Sequence, residues 1–203
     1  CHFVNGLHSY RAQLLSRQKK MGLILDDSEM VDWPESLPEW DSFSEEAKEY
    51  LARQMEVNAA FLEHVDHHVG RVIDHLEALG ELDNTLVIYL TADNGCTAEG
   101  TPTGTFSELL MQNGFPPLTM EQQLEKLEAF GGLDAWGGPH MANHYSLGWA
   151  YASSTPFQWV KQMASHFGGT MAATAIRSRQ MGPADGLRHR AGVNPDADPE
   201  PRI

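Results

Sequence analysis

The sequence has few cysteines and few basic residues, and it lacks long hydrophobic runs. Its two cysteines, Cys1 and Cys96, are too few for a disulfide framework and lack zinc-site spacing. Lysine and arginine total 14 against 28 aspartate and glutamate residues, so the formal net charge is −14. This charge argues against nucleic acid or an anionic membrane surface as a partner. No apolar segment reaches the length of a membrane-spanning helix, and no signal-peptide pattern is visible.

The most informative stretch is a short apolar run that ends in two polar side chains. Residues Leu86–Leu90 have the uninterrupted apolar composition that is typical of a strand buried on both faces. Asp93 and Asn94 follow it, and Gly95 lets the backbone turn away. Ligands of open α/β sheets bind beyond the carboxyl ends of strands, and a carboxylate beside a carboxamide suits Ca²⁺ or Mg²⁺. An ordinary Asp-Asn-Gly turn explains the same residues, and this stretch taken alone favours the turn over a metal site.

A long amphipathic helix precedes this strand. Apolar or small residues recur from Leu51 to Leu79 at alternating spacings of three and four, which is typical of a packed helical seam. Ser42 with Glu45 predicts a capping box at its start, and Gly80 predicts its end. Helix, glycine turn, buried strand and acidic strand end together indicate an α/β unit.

Four histidines lie on this helix, namely His64, His67, His68 and His75. His64 and His68 are one turn apart, a spacing at which two imidazoles can chelate a metal. Arg71 lies in the same stripe and would oppose a cation. We therefore expect these histidines to flank the packed seam rather than to bind metal.

Glycine and proline recur throughout residues 97–155, and this pattern predicts a long irregular insertion. One helix is expected within it, roughly from Thr119 to Phe130, with Gln122 completing a capping box. An insertion directly after a strand end is unusual unless it builds a pocket wall. Aromatic and imidazole groups cluster in and just after it: Trp136, His140, His144, Tyr145, Trp149, Tyr151, Phe157 and Trp159. They either anchor the loop or line a substrate cleft, and the two interpretations are compatible.

The last part of the chain contains one notable lysine and then changes in character. Lys161 lies in an apolar, aromatic segment, where it either extends to solvent or is held as a point charge for an anion. After Thr170 the sequence becomes polar and proline-rich. We predict a disordered or aberrant tail over residues 171–203, because this segment cannot bury enough apolar surface to order itself.

Three blocks of this sequence together resemble the type I sulfatases, specifically their bacterial arylsulfatase-like members. The first begins at Arg53-Gln-Met-Glu-Val and runs on to Val69-Gly-Arg-Val. The second runs from Leu82-Asp-Asn-Thr-Leu-Val to Asp93-Asn-Gly and Ala98-Glu-Gly. The third is Thr155-Pro-Phe-Gln-Trp with Lys161, then Ser165-His-Phe-Gly-Gly-Thr. The resemblance extends over roughly residues 8–170.

The resemblance implies an α/β/α sandwich of the alkaline-phosphatase-like type and hydrolysis of small sulfate esters. In that family a formylglycine, made within a Cys/Ser-x-Pro-x-Arg motif, attacks sulfur while a bound Ca²⁺ neutralises the sulfate oxygens. By residue-to-residue match, Asp93 and Asn94 would be two of the metal ligands. Lys161 would bind the sulfate group and the leaving-group oxygen.

The sequence also departs from the family pattern. Neither cysteine is followed by the formylglycine motif, and Ser36-Leu-Pro38 is followed by Trp40 where the arginine would stand. The resemblance therefore implies that residues 1–170 are the C-terminal part of a catalytic domain without its nucleophile. We expect negligible activity of this chain alone and poor metal affinity, because two ligands rarely hold Ca²⁺ against water.

Two alternatives stay open at this point. A phosphodiesterase or phosphonate hydrolase of the same superfamily shares the Asp-Asn pair, although the third block favours a sulfatase. The other alternative is a non-catalytic, partner-binding protein that keeps the helix and strand without the chemistry.

Overall fold

The computed structural model describes residues 3–90, 95–161, 163 and 174–177, the last four as backbone only. This part contains five α-helices and two strands: α1 (Gly6–Lys20), α2 (Glu45–Ala78), β1 (Val87–Leu90), α3 (Leu109–Gln112), α4 (Met120–Ala129), α5 (Leu147–Ser153) and β2 (Thr174–Arg177). Short 3-10 helices lie at Trp40–Ser42, Leu82–Asn84 and Gly132–Ala135. None of the helices described is long and apolar enough to cross a membrane.

The start of α2 differs from the sequence prediction by two residues. Ser44 is the N-cap, and its hydroxyl accepts a hydrogen bond from the backbone N–H of Ala47 at 3.2 Å. The predicted capping box of Ser42 and Glu45 is wrong, because Ser42 lies in a 3-10 turn and its hydroxyl donates to the carbonyl of Glu39. The third helical position after Ser44 is an alanine, so the true cap has no capping-box pattern to reveal it.

Two other predicted helix ends, the end of α2 and the start of α4, are confirmed, and α1 ends in the same way as α2. Gly22, just beyond α1, and Gly80, just beyond α2, both adopt positive φ angles, 65° and 72° respectively. The α4 helix begins after Thr119, whose side chain accepts from the Gln122 backbone while the Gln122 side chain accepts from the Thr119 backbone. The predicted capping box is therefore present with both of its bonds.

The two halves of α2 differ sharply in burial. In the first half Tyr50, Leu51 and Met55 are 0–3% exposed. In the second half Phe61, Leu62 and Val72 are 59–62% exposed. The apolar seam predicted along the whole helix is thus buried only at its N-terminal end in the part of the chain that the structure describes.

The strand β1 is also less buried than its composition predicts. Leu86, Ile88 and Tyr89 are 41–58% exposed, so burial on both faces is wrong for the described part of the chain. Burying both faces requires a layer on each side, whereas β1 has only β2 beside it among the described residues. The pair is antiparallel, with Val87 opposite Arg177.

The strand β2 lies inside the stretch 171–203, for which the sequence predicts a disordered or aberrant tail. Four residues of that stretch, Thr174–Arg177, form a strand hydrogen-bonded to β1. The others lie outside the described residues, where the tail stays a prediction.

Residues 97–155 contain more helix than the sequence predicts. Besides the expected α4, the segment forms α3 and α5, which are four and seven residues long. Helices this short show no recognisable apolar period. Nevertheless α5 lies in the core, where Trp149, Ala150, Tyr151 and Ala152 are at most 1% exposed.

The core joins α5 to the N-terminal half of α2. The Trp149 ring packs with Leu7 and Trp40 in one cluster, and its Nε1–H donates to the carbonyl of Leu51 at 2.7 Å. A second contact joins α2 to the segment after α4, since the rings of Tyr50 and Trp136 meet edge to face at 5.1 Å. The insertion is therefore part of the core rather than an appendage.

Gln54, in the middle of this interface, binds the backbone of the insertion at two places. Its side chain is 1% exposed. Its Nε2 donates to the carbonyl of Thr103 at 2.9 Å, and its Oε1 accepts from the N–H of Ser146 at 2.8 Å. Gly104 allows this approach: its φ is +81°, and a Cβ there would lie 2.2 Å from Gln54 Nε2.

We expect Gln54→Leu to lower the free energy of unfolding by about 3 kcal/mol, because a buried carbonyl and a buried N–H lose their partners. Chemical denaturation followed by circular dichroism measures this change. Gln13→Leu, on the exposed face of α1, is the matched control and should change stability by less than about 0.5 kcal/mol. Equal losses of unfolding free energy from the two substitutions would contradict the stabilising role assigned to the hydrogen bonds of Gln54.

Candidate functional site

Of the three predicted site residues, Lys161 is described by the structure, whereas Asp93 and Asn94 lie outside the described residues. Lys161 is half-buried. Its backbone N–H donates to the carbonyl of Cys96 at 3.0 Å. Cys96 lies two residues after Asn94 in the sequence, so this bond joins the lysine backbone to a residue that is close in sequence to the predicted metal ligands.

Cys96 is held in turn by the end of α5. Its backbone N–H donates to the hydroxyl of Ser154 at 3.3 Å, and that hydroxyl donates to the carbonyl of Ala150 at 3.0 Å. Ser154 is fully buried. Ser154, just beyond α5, thus holds Cys96, and Cys96 in turn holds the backbone of Lys161.

The Cys96 thiol does not have the character of a nucleophile. Burial raises its pKa above the ordinary value of 9.0, although hydrogen bonds with Ser154, Tyr145 and Ser153 partly offset this effect. Burial likewise raises the pKa of the Tyr145 phenol, with the neighbouring Cys96 as a further cause. Both groups are therefore neutral near pH 7, and they contribute packing and hydrogen bonds rather than charge.

Arg11 is a buried cation next to this region that the sequence analysis did not identify. It is 2% exposed. Its Nε donates to the hydroxyl of Thr155 at 3.2 Å, and its Nη2 donates to the carbonyl of Val31. The guanidinium also lies 5.5 Å from the ring of Trp33 and 5.1 Å from that of Tyr151. These contacts fix the start of the segment that leads to the lysine.

A sequence signal for Arg11 existed. The residue lies four positions after the buried Leu7 and therefore on the same face of α1. A charged residue on an apolar face indicates either a packed stem or a buried partner. The partners here come from distant parts of the chain, so the pattern alone did not identify them.

A cleft of about 350 Å³ opens between α2 and the segment before α5. His144 and Tyr145 line it, as the cleft interpretation of the aromatic cluster predicts. Trp136 and Trp149 are instead buried in the core, as the anchor interpretation predicts. The anchor interpretation thus holds for Trp136 and Trp149, whereas a substrate-binding role for His144 and Tyr145 stays a prediction.

The histidines of α2 lie on its exposed half rather than beside a packed seam. The rings of His64 and His68 are 4.3 Å apart, and Arg71 Nη1 lies 2.9 Å from Nδ1 of His68. Within the described ranges, no group of three or more histidine, cysteine, aspartate or glutamate side chains is arranged to hold a metal ion.

Comparison with known proteins identifies the family. The Sulfatase family model matches residues 15–168, which is most of the chain. The chain belongs to the sulfatase family. An uncharacterized sulfatase of Schizosaccharomyces pombe is 35% identical to it over 171 residues, and an arylsulfatase of Klebsiella aerogenes is 32% identical over 88 residues. The resemblance drawn from the sequence is confirmed at the level of the family.

This sulfatase chain is short beside those relatives. The matches cover 82% and 43% of the chain but only 28% and 19% of the two relatives' own lengths. Membership implies an alkaline-phosphatase-like α/β fold. The described part is mostly helical, with a two-stranded sheet.

We expect alkylation of Cys96 by iodoacetamide to require a higher pH than alkylation of free cysteine, because burial raises the thiol pKa. A Cys1→Ser variant isolates Cys96, and mass spectrometry gives the rate at each pH. Stability should fall above pH 9, since the unfolded thiol then loses its proton while the folded one keeps it. Alkylation of the same variant unfolded in urea is the control. An equal pH midpoint of the alkylation rate in the folded and the unfolded protein would contradict the argument that burial raises the thiol pKa.

Proposed function

We propose that this chain forms part of a sulfate-ester hydrolase whose site includes Lys161, Asp93 and Asn94. The observation that supports this most is the hydrogen bond between the Lys161 backbone and Cys96. It places the lysine's backbone beside the segment that follows the predicted metal ligands. The family match and the arylsulfatase relative favour sulfate esters as substrates.

In this proposal Lys161 acts as a compact positive charge at the sulfuryl group. Charge moves toward the leaving-group oxygen as the ester bond breaks, and an ammonium held in place stabilises that charge without reorganising solvent. Half-burial of the lysine strengthens the interaction, because the effective dielectric constant is lower than in water. The nucleophile, expected to be a formylglycine, would come from outside this chain.

Ca²⁺ is the metal that the proposal implies. Asp93 and Asn94 offer the hard oxygen atoms that this ion prefers, and further ligands must come from outside the described residues. When bound, such an ion would neutralise sulfate oxygens. The described residues by themselves do not form a metal site.

We further propose that the complete domain is an α/β/α sandwich in which the exposed half of α2 and the faces of β1 are covered. The exposed side chains that support this are Phe61, Leu62 and Val72 on α2 and Ile88 and Tyr89 on β1. Large apolar side chains that follow a helical seam or a strand favour burial in a layered fold.

We expect this chain alone to hydrolyse neither an aryl sulfate nor an aryl phosphate at a measurable rate, because it contains no formylglycine motif. Release of 4-nitrophenol from the two esters by the purified chain measures this. Turnover of the sulfate that exceeds a buffer control and scales with chain concentration would contradict the proposal.

We expect Lys161→Ala to lower kcat for an aryl sulfate by about 10²–10³-fold, the usual cost of removing one electrostatic stabiliser. The test is a chimera that joins this chain to the regions of the Klebsiella aerogenes arylsulfatase outside the matched segment. Lys126→Ala, an exposed lysine on α4, is the matched control and should leave kcat unchanged.

Comparing sulfate with phosphate in the same chimera separates the sulfatase proposal from the phosphodiesterase alternative. A chimera that prefers aryl phosphate would favour the alternative. Equal activity of the Lys161→Ala and Lys126→Ala proteins would exclude the role assigned to Lys161.

A further inference from the structure

Three polar side chains of the cleft have no hydrogen-bond partner among the described residues. They are Asn58 on α2, Glu108 just before α3, and Asn143 just before His144. Each is half-buried. Polar groups that are partly withdrawn from water without an internal partner favour a bound ligand or ordered water as their partner.

The cleft also contains one oriented imidazole and an apolar wall. Nδ1 of His144 lies 2.9 Å from the carbonyl of Tyr145. Because a carbonyl only accepts, Nδ1 is the donor, and Nε2 of the neutral ring is left as an acceptor. Val57 and Met141 add apolar surface to the same lining.

We infer that this cleft binds a neutral, ring-sized organic group that carries several hydroxyls. Glu108 and Nε2 of His144 are acceptors, so they require donors on the ligand, and the two carboxamides can pair with hydroxyls in either sense. A carboxylate in the lining disfavours an anion. The apolar wall suits the face of a ring, and the volume of about 350 Å³ falls at the lower end of small-molecule sites.

The cleft is connected to the backbone of Lys161 through two residues, Tyr145 and Cys96. Tyr145 lines the cleft, and its phenol interacts with the thiol of Cys96, whose carbonyl binds the backbone of Lys161. On the proposed function, the cleft therefore receives the leaving group of the sulfate ester. A hydroxylated ring fits this lining better than an unsubstituted aryl group does.

Titration of the purified chain with methyl glucoside, followed by NMR of the side-chain amide signals, tests the inference. We expect saturable shifts of the Asn58 and Asn143 amides, no such shifts with glucuronate, and weaker binding of 4-nitrophenol. Glu108→Ala and Asn143→Ala should each raise the dissociation constant about tenfold, the usual effect of losing one strong hydrogen bond. Glu125→Ala and Asn84→Ala, at exposed positions elsewhere, should not change it.

The expected preference of the cleft for a neutral ligand gives a second measurement, which does not depend on substitution by alanine. Glu108→Gln keeps the size of the side chain and should allow glucuronate to bind about as well as the neutral glucoside. No saturable shift with the glucoside, equal binding of glucuronate by the unaltered chain, or tighter binding of 4-nitrophenol would each overturn the inference. None of the probes carries a sulfate, so these outcomes are independent of the test of Lys161.

Discussion

The N-terminal half of α2 is the element to which the rest of the described structure is attached. Gln54 accepts from Ser146 and donates to Thr103, and so holds the backbone at two distant points of the insertion. One turn earlier, the carbonyl of Leu51 accepts from the indole of Trp149. Both side-chain groups are buried, so each bond would be costly to lose. A long loop with many glycines is fixed in this way without a continuous sheet.

The candidate site depends on that attachment through a short series of contacts. Trp149 fixes α5, and Ser154 just beyond α5 fixes Cys96, whose carbonyl binds the backbone of Lys161. Arg11 holds Thr155 from the other side. The backbone of the lysine that we propose as the sulfuryl-binding charge is thus positioned by buried neutral groups and one buried cation.

The second half of α2 and the strand β1 have the opposite character. Their apolar side chains are exposed, although the sequence pattern is that of buried elements. The chain covers only 28% of the length of its Schizosaccharomyces pombe relative, and the layer that we propose to cover these elements would come from outside the described residues. Elements of a layered fold can show a buried composition and still be exposed when the opposing layer is not part of the same chain.

Local chemistry accounts for what could be predicted from the sequence. Gly22, Gly80 and the Thr119–Gln122 capping box mark helix ends through backbone conformation and bonds that span three residues. The family resemblance likewise depends on short blocks. The roles of Asp93 and Asn94, which lie outside the described residues, and of Lys161 stay predictions.

The cap at Ser44, the short helix α5 and the buried Arg11 were not predictable in the same way. The cap at Ser44 lacks the pattern that marks a capping box, and α5 is too short to show an apolar periodicity. Arg11 is stabilised by partners 20 and 144 residues away in the sequence. The sequence by itself determined the family and the long helices, because both depend on neighbouring residues. Only the tertiary structure decided which faces are buried and which side chains meet at Lys161, because those contacts join residues far apart in the chain.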